Sequence, residues 1–453
     1  MTPSASMPVH SSTANAGPLQ ILGAFAVLIY VFFITSRLLD FSLAPYHIPL
    51  IVLGMALVAV TISGAFRNFL EARAAKLYLA ITLCLILGVP FGFYRRGAVT
   101  FLTNDWLRIM VFVVVVVSAI DTHRRTVYVM NTIAFAVLIV AIIGVSRGDV
   151  NSEGRLIIAD TFTLDNPNGL AFVLLLGIPM WWRYMGPGSW SILRRCIGAA
   201  ALATIAVCFL KTASRGGLVA LMVLALFGFI RASLPAKIGL ALVVLLAVAA
   251  AGGILPKRLS DRFQTFVSAD AGDLAADALA STEERKAIFW ESVRITLLHP
   301  IFGVGPGMFE DVENVLARAD GKRKGYWLGT HNTYTQLSSE CGIPVLILFL
   351  ALWITTLRSL RAATKVAAAD PRPIAADLRR STVAAEAMIW QCCTFLFFAH
   401  LGYTNEVHLI ICVGVVVSRA ALQELNAIAA VPGTAPPGAL GFRQAELAPS
   451  GTI

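Results

Sequence analysis

The chain has 453 residues, of which 57% are hydrophobic and 14% charged, with a mean hydropathy of +0.76 and a net charge of +10. A soluble globular protein carries about 25% charged residues, so this composition excludes a large soluble core and implies an all-α polytopic membrane protein. The positive excess suits basic cytoplasmic loops and membrane lipids, and no nucleic-acid partner is expected.

Residues 1–18 are rich in Ser, Pro and Ala and have no basic stretch. They are expected to form a disordered tail before an uncleaved first span, not a cleaved leader. A spanning helix needs roughly 17–25 mostly apolar residues. About twelve such segments are predicted: 19–36, 46–65, 76–93, 106–120, 126–145, 167–184, 193–212, 216–231, 236–254, 332–357, 383–402 and 406–423. Spans one to nine thus occupy 19–254, and a large loop of 255–331 separates them from the last three in 332–423. Residues 424–453, rich in Pro, Gly and Ala, are a predicted disordered cytoplasmic tail.

Short-loop Lys and Arg orient the bundle. They gather in the even-numbered connections, for instance Arg67, Arg73 and Lys76, Arg194 and Arg195, and Arg358 to Arg380. This predicts that both termini are cytoplasmic and that the large loop lies on the opposite, periplasmic face of a bacterial inner membrane. Arg95, Arg96, Arg147, Arg155, Lys211 and Arg215 then sit on the disfavoured side, with the large loop. Either they anchor lipid head groups or they bind an anion.

The large loop is patterned. Ser281-Thr282-Glu283-Glu284 reads as a capping box. Apolar residues at helical spacing follow it and predict an amphipathic helix over 282–298, ended by His299-Pro300. Gly303, Gly305 and Gly307 suit a tight turn where backbone approaches a ligand. Arg318, Lys322-Arg323-Lys324, Tyr326 and Trp327 read as a solvated basic face or a contact with an anionic glycolipid.

Thr330 is the expected N-cap of the next helix. His331 would then stand in its first turn, where the helix dipole disfavours the imidazolium. A neutral histidine can accept a proton, although one imidazole near a membrane interface is more often structural. Arginine's planar fork suits phosphate oxygens, and Arg147, Arg155 and Arg215 lie on the same face. The acidic residues are scattered and no D-x-D is present, so no metal is expected. The seven cysteines show no pairing at metal spacing and read as small apolar residues.

Ser214-Arg215-Gly216-Gly217 resembles a motif of the O-antigen ligase and polymerase superfamily. So do His299-Pro300 with Gly303-Val304-Gly305-Pro306-Gly307-Met308-Phe309, and His331-Asn332-x-Tyr334 leading to Glu340-Cys341-Gly342. The order of these pieces and the single large late loop resemble that family too. The resemblance implies a glycosyltransferase that moves a glycan from undecaprenyl pyrophosphate to a sugar hydroxyl of lipid A-core in lipopolysaccharide biosynthesis. That transfer inverts the anomeric carbon and uses no cofactor. By the same resemblance His331 activates or positions the acceptor hydroxyl and Arg215 binds the donor pyrophosphate. Arg147, Arg96 and Arg95 are further pyrophosphate candidates, and Asn332, Tyr334, Lys211 and Arg155 are candidate supports. An O-antigen polymerase or a protein O-oligosaccharyltransferase would share these motifs. A transporter of lipid-linked sugar would also fit the span number, but it usually carries internal repeats and mid-membrane charges; this sequence shows no clear repeat and few charges mid-span.

Overall fold

The computed structural model describes residues 17–37, 44–159, 161, 163–185, 192–232, 234, 237, 272–321, 326 and 328–429. The expected ninth span, loop residues 255–271, Lys322 to Lys324 and Trp327 lie outside these residues. So do most of the two expected tails.

The described chain is a bundle of helices. They are α1 (Pro18–Ser36), α2 (Ile48–Ile62), α3 (Arg67–Leu70), α4 (Arg73–Gly88), α5 (Arg95–Phe101), α6 (Leu107–Ala119), α7 (His123–Arg147), α8 (Pro167–Trp182), α9 (Ile192–Thr212) and α10 (Arg215–Arg231). After the undescribed stretch come α11 (Gly272–Leu298), α12 (Phe309–Ala319), α13 (Thr333–Cys341), α14 (Ile343–Ala369), α15 (Pro373–Phe395) and α16 (Asn405–Ala429). One antiparallel pair, Asp149–Val150 with Leu156–Ile157, forms a small hairpin between α7 and α8. Among the described residues, seven helices are long and apolar enough to cross a membrane. The protein is therefore an all-α, multi-pass membrane protein.

Each predicted span but the ninth, tenth and eleventh coincides roughly with one helix; the eleventh, 383–402, overruns its helix, which ends at Phe395. The predicted tenth span, 332–357, is two helices: α13 ends at Cys341, Gly342 turns with φ +88°, and α14 restarts with a proline in its first turn. A Cβ on Gly342 would lie 2.1 Å from the Ile301 carbonyl oxygen, so the break is also a close backbone contact. The predicted start of the amphipathic helix is corrected as well. Helix α11 begins at Gly272, so Ser281 lies inside the helix and not at its N-terminus.

The core runs through α1, α4, α6 to α8 and α14 to α16. At one end of the bundle the buried Glu386 of α15 is held between Arg231 at the end of α10 (2.8 Å) and Arg361 of α14 (3.0 Å). The other end of α10 and of α15 carries Arg215 and Phe395, and the candidate site lies there.

Candidate functional site

The turn between α9 and α10 organises the site. Ala213 takes a left-handed φ of +46°, and Ser214 then caps α10 by accepting from Gly217 N at 3.2 Å. Arg215 is thereby the first helical residue of α10. Ser214 Oγ also donates to Asn168 Oδ1 at 2.8 Å. The same oxygen accepts from an Arg155 Nη at 2.9 Å, while Arg155 Nε donates to the Thr212 carbonyl at 2.9 Å. Arg155, only 6% exposed, thus ties the hairpin to the ends of α8 and α9 through charge-assisted bonds.

Beside this knot lies a small open cleft lined by Arg155, Asn168, Ser214, Arg215, Arg285 and Phe398 among others. Three guanidinium groups around one cleft concentrate positive charge of a kind that suits phosphate oxygens. The small residues after Arg215 serve packing as much as ligand space. A Cβ on Gly216 would meet Phe398 at 2.6 Å, and one on Gly217 would meet Phe209 at 2.9 Å.

His331 does not line this cleft, but it feels the charge of Arg285, which does. Its pKa is pulled down to about 4, first by burial, then by the charge of Arg285, then by His400. The shift favours the neutral imidazole, through burial and the Arg285 charge and not through the expected helix dipole. His331 precedes α13 and adopts a left-handed φ of +51°. The cap is Asn332, whose side-chain oxygen accepts from Tyr334 N at 2.9 Å and Thr335 N at 3.2 Å. Thr330, the expected cap, instead donates from Oγ to the Asn332 carbonyl at 2.9 Å.

The first turn of α13 is sewn to the segment after α15. Thr333 N donates to Leu396 O, and Thr333 Oγ donates to Ala399 O at 2.6 Å and accepts from Leu401 N at 2.9 Å. Tyr334 donates its hydroxyl proton to Cys393 O at 2.7 Å. Asn332 and Tyr334 thus hold His331 in place.

The other end of α13 is closed by the glycine turn. Val304 N donates to Ser339 O and Gly305 N to Glu340 O, so the turn caps the last carbonyls of the helix. A Cβ on Gly303 would lie 2.3 Å from the Glu340 carbonyl. Gly303 therefore admits protein backbone where the sequence suggested a ligand, whereas a Cβ on Gly307 would meet nothing. The buried Glu340 carboxylate accepts from Gly307 N at 3.0 Å and from the Tyr403 hydroxyl at 2.7 Å. Its pKa is pushed up to about 7 because burial outweighs those bonds.

The remaining candidates lie elsewhere. Arg147 is exposed on the last turn of α7, and Lys211 is half-buried one residue before Thr212; neither lines the cleft. Arg95 and Arg96 are exposed at the start of α5, next to the glycine turn, where Phe93 N donates to Val304 O. Among the described residues no His, Cys, Asp and Glu cluster suits a metal.

Arg285 and His400 were not singled out from the sequence. The signal for Arg285 was its spacing. It shares a helical face with the buried Ile288, Ser292 and Ile295, so it points at the bundle while its neighbours Glu284 and Lys286 suggest a solvated face. His400 was counted inside the apolar eleventh span.

A search of curated proteins finds no match to the chain. A family model, Wzy_C, described as O-antigen ligase, matches residues 200–350. That stretch contains the Ser214 cap, Arg215, Arg285, the glycine turn, His331 and Glu340, and over it the chain is similar to the O-antigen ligase family.

Proposed function

We propose that the protein is an O-antigen ligase: it transfers a glycan from undecaprenyl pyrophosphate to a sugar hydroxyl of lipid A-core, on the periplasmic side of the inner membrane. The observation that carries this reading is the meeting of Arg155, Arg215 and Arg285 around one cleft, with the neutral His331 within the field of Arg285. In the transfer, the acceptor oxygen attacks the anomeric carbon and the bond from that carbon to the pyrophosphate oxygen breaks. The electron pair leaves on the pyrophosphate, where Arg215 and Arg285 offset the growing charge. The acceptor proton passes to His331. Arg155 is already bound to protein on three sides, so its part is to fix Ser214 and hence Arg215 as well as to add charge.

The experiment is transfer of lipid-linked glycan to lipid A-core by the purified protein. His331→Ala is expected to lower kcat about 10²–10⁴-fold, the usual worth of one general base. Near-full activity in that variant would remove the base assignment. Arg215→Lys keeps charge and loses the fork, so donor affinity is expected to fall. A deletion strain separates the family's reactions. Bare core with accumulated lipid-linked polymer supports a ligase. Core capped with a single repeat would indicate a polymerase, and intact lipopolysaccharide a protein transferase.

A further inference from the structure

His400 stands beside His331, with ring centroids 5.5 Å apart and planes at 72°. Two features fix its ring. The neighbouring Ala399 and Leu401 are bonded to Thr333, two residues after His331. Gly329 leaves the space the ring fills, since a Cβ there would come within 2.9 Å of His400 Cε1 and Nε2. His400 is therefore held relative to His331 through backbone on both sides.

Among the described residues, two other histidines are committed to structure. His408 is bonded to Tyr78 and to the Gly402 carbonyl, and His123 to Asp377. Among the described residues, neither His331 nor His400 has a hydrogen-bond partner, and both keep open surface. The two imidazoles, set edge to face with no ring nitrogen bonded among the described residues, form a polar pair available to a ligand. Phe398, two residues before His400, lines the cleft.

We propose that His400 is a second acceptor-binding residue, which reads the hydroxyl adjacent to the one that His331 addresses. The acceptor would then be a sugar with two neighbouring free hydroxyls, one bonded by each imidazole. This rests on the proposed transfer to a sugar hydroxyl and adds the class of acceptor it selects. A neutral imidazole offers one donor and one acceptor nitrogen, so His400 can bond a hydroxyl in either sense. A site built to bond a hydroxyl rejects the analogue without it strongly, because its polar group is left unpaired.

The test compares the wild-type protein with His400→Phe, which keeps a flat ring on Gly329 and has no nitrogen, and with His400→Gln, which keeps a donor and an acceptor. Two acceptors are used: the natural core sugar and its analogue deoxygenated at the neighbouring position. His400→Phe is expected to raise KM for the natural acceptor about tenfold, to leave donor affinity unchanged, and to use the deoxy analogue as well as wild type does. His400→Gln is expected to recover part of the loss. An equal loss on both acceptors, a change in donor affinity, or wild-type KM in His400→Phe overturns the assignment. If His400→Phe does not fold, His400→Gln alone decides, through the same comparison of natural and deoxy acceptors. A wild-type protein that transfers nothing to lipid A-core would instead overturn the proposed function.

Discussion

At the residue scale the proposed chemistry depends on keeping one imidazole neutral in a cationic neighbourhood. His331 titrates near pH 4 because burial and the Arg285 charge both oppose protonation. An unperturbed histidine titrates near 6.5. The base form is thus present above about pH 4, and the acid limb of kcat/KM is expected near pH 4, which a pH profile of transfer measures. Arg285→Gln removes a cation, so the limb should move upward. It should stop short of 6.5, because burial is the larger cause. A limb unmoved in Arg285→Gln would separate the two residues. Stability follows the same sign. Between pH 6.5 and about 4 the unfolded chain binds a proton at this site that the folded chain refuses, so this contribution falls as pH is lowered through that range. Thermal unfolding in detergent reads it against His331→Asn, which tolerates the left-handed backbone. His331 itself was legible, because a histidine at a loop-to-helix junction stands out. Arg285 was not, because one charge within Glu284-Arg285-Lys286 resembles a solvated face until its helical phase relative to Ile288 and Ile295 is considered.

At the scale of elements, the nine residues of α13 are the platform that presents His331. Asn332 closes one end of that helix and the glycine turn the other. The two glycines Gly303 and Gly307 separate packing from conformation. Both have positive φ, +65° and +72°, but only Gly303 faces backbone, at 2.3 Å from Glu340, while Gly307 faces open space. Gly307→Ala is expected to cost about 1–2 kcal/mol, the strain of a left-handed residue. Gly303→Ala adds a collision that no side chain can relieve, typically about 1–3 kcal/mol more. Unfolding midpoints of the two variants check the difference, and equal midpoints would show that the turn does not press on α13. Loss of the cap in Asn332→Ala should cost about 1 kcal/mol and lower transfer by releasing His331. In the sequence, the run from 332 to 357 looked like one span because hydropathy averages over its break. The stop was written locally, as Gly342 followed by Pro344, and turn chemistry is the signal that finds it. The role of the glycine turn was not legible, since its partner carbonyls lie more than thirty residues away, at Ser339 and Glu340.

At the scale of the molecule, the two ends of the bundle carry different charge arrangements. One end pairs its charges, with Glu386 between Arg231 and Arg361, His123 on Asp377, and Arg125 on Asp121. The other gathers Arg155, Arg215 and Arg285 around an open cleft. The spans between them were readable from hydropathy because lipid imposes length and composition on each helix separately. The cleft was not, because its residues come from α8, α10, α11 and the hairpin, and only helix packing brings them together. A polytopic protein with basic residues concentrated in its even-numbered connections should hold the paired end in the cytoplasm. The cleft, with α12, then faces the periplasm, where a lipid-linked glycan and lipid A-core would meet. Cysteine labelling tests this directly on a Cys196→Ala background, which removes the exposed native thiol. Val315→Cys on α12 is expected to react with a membrane-impermeant maleimide in intact cells. Ala368→Cys, near the end of α14, should react only after the inner membrane is opened. The reverse pattern would put the three arginines on the cytoplasmic face and remove them from any reaction on a periplasmic glycan. Both positions are exposed, so a silent Val315→Cys in intact cells would be a statement about sidedness and not about burial.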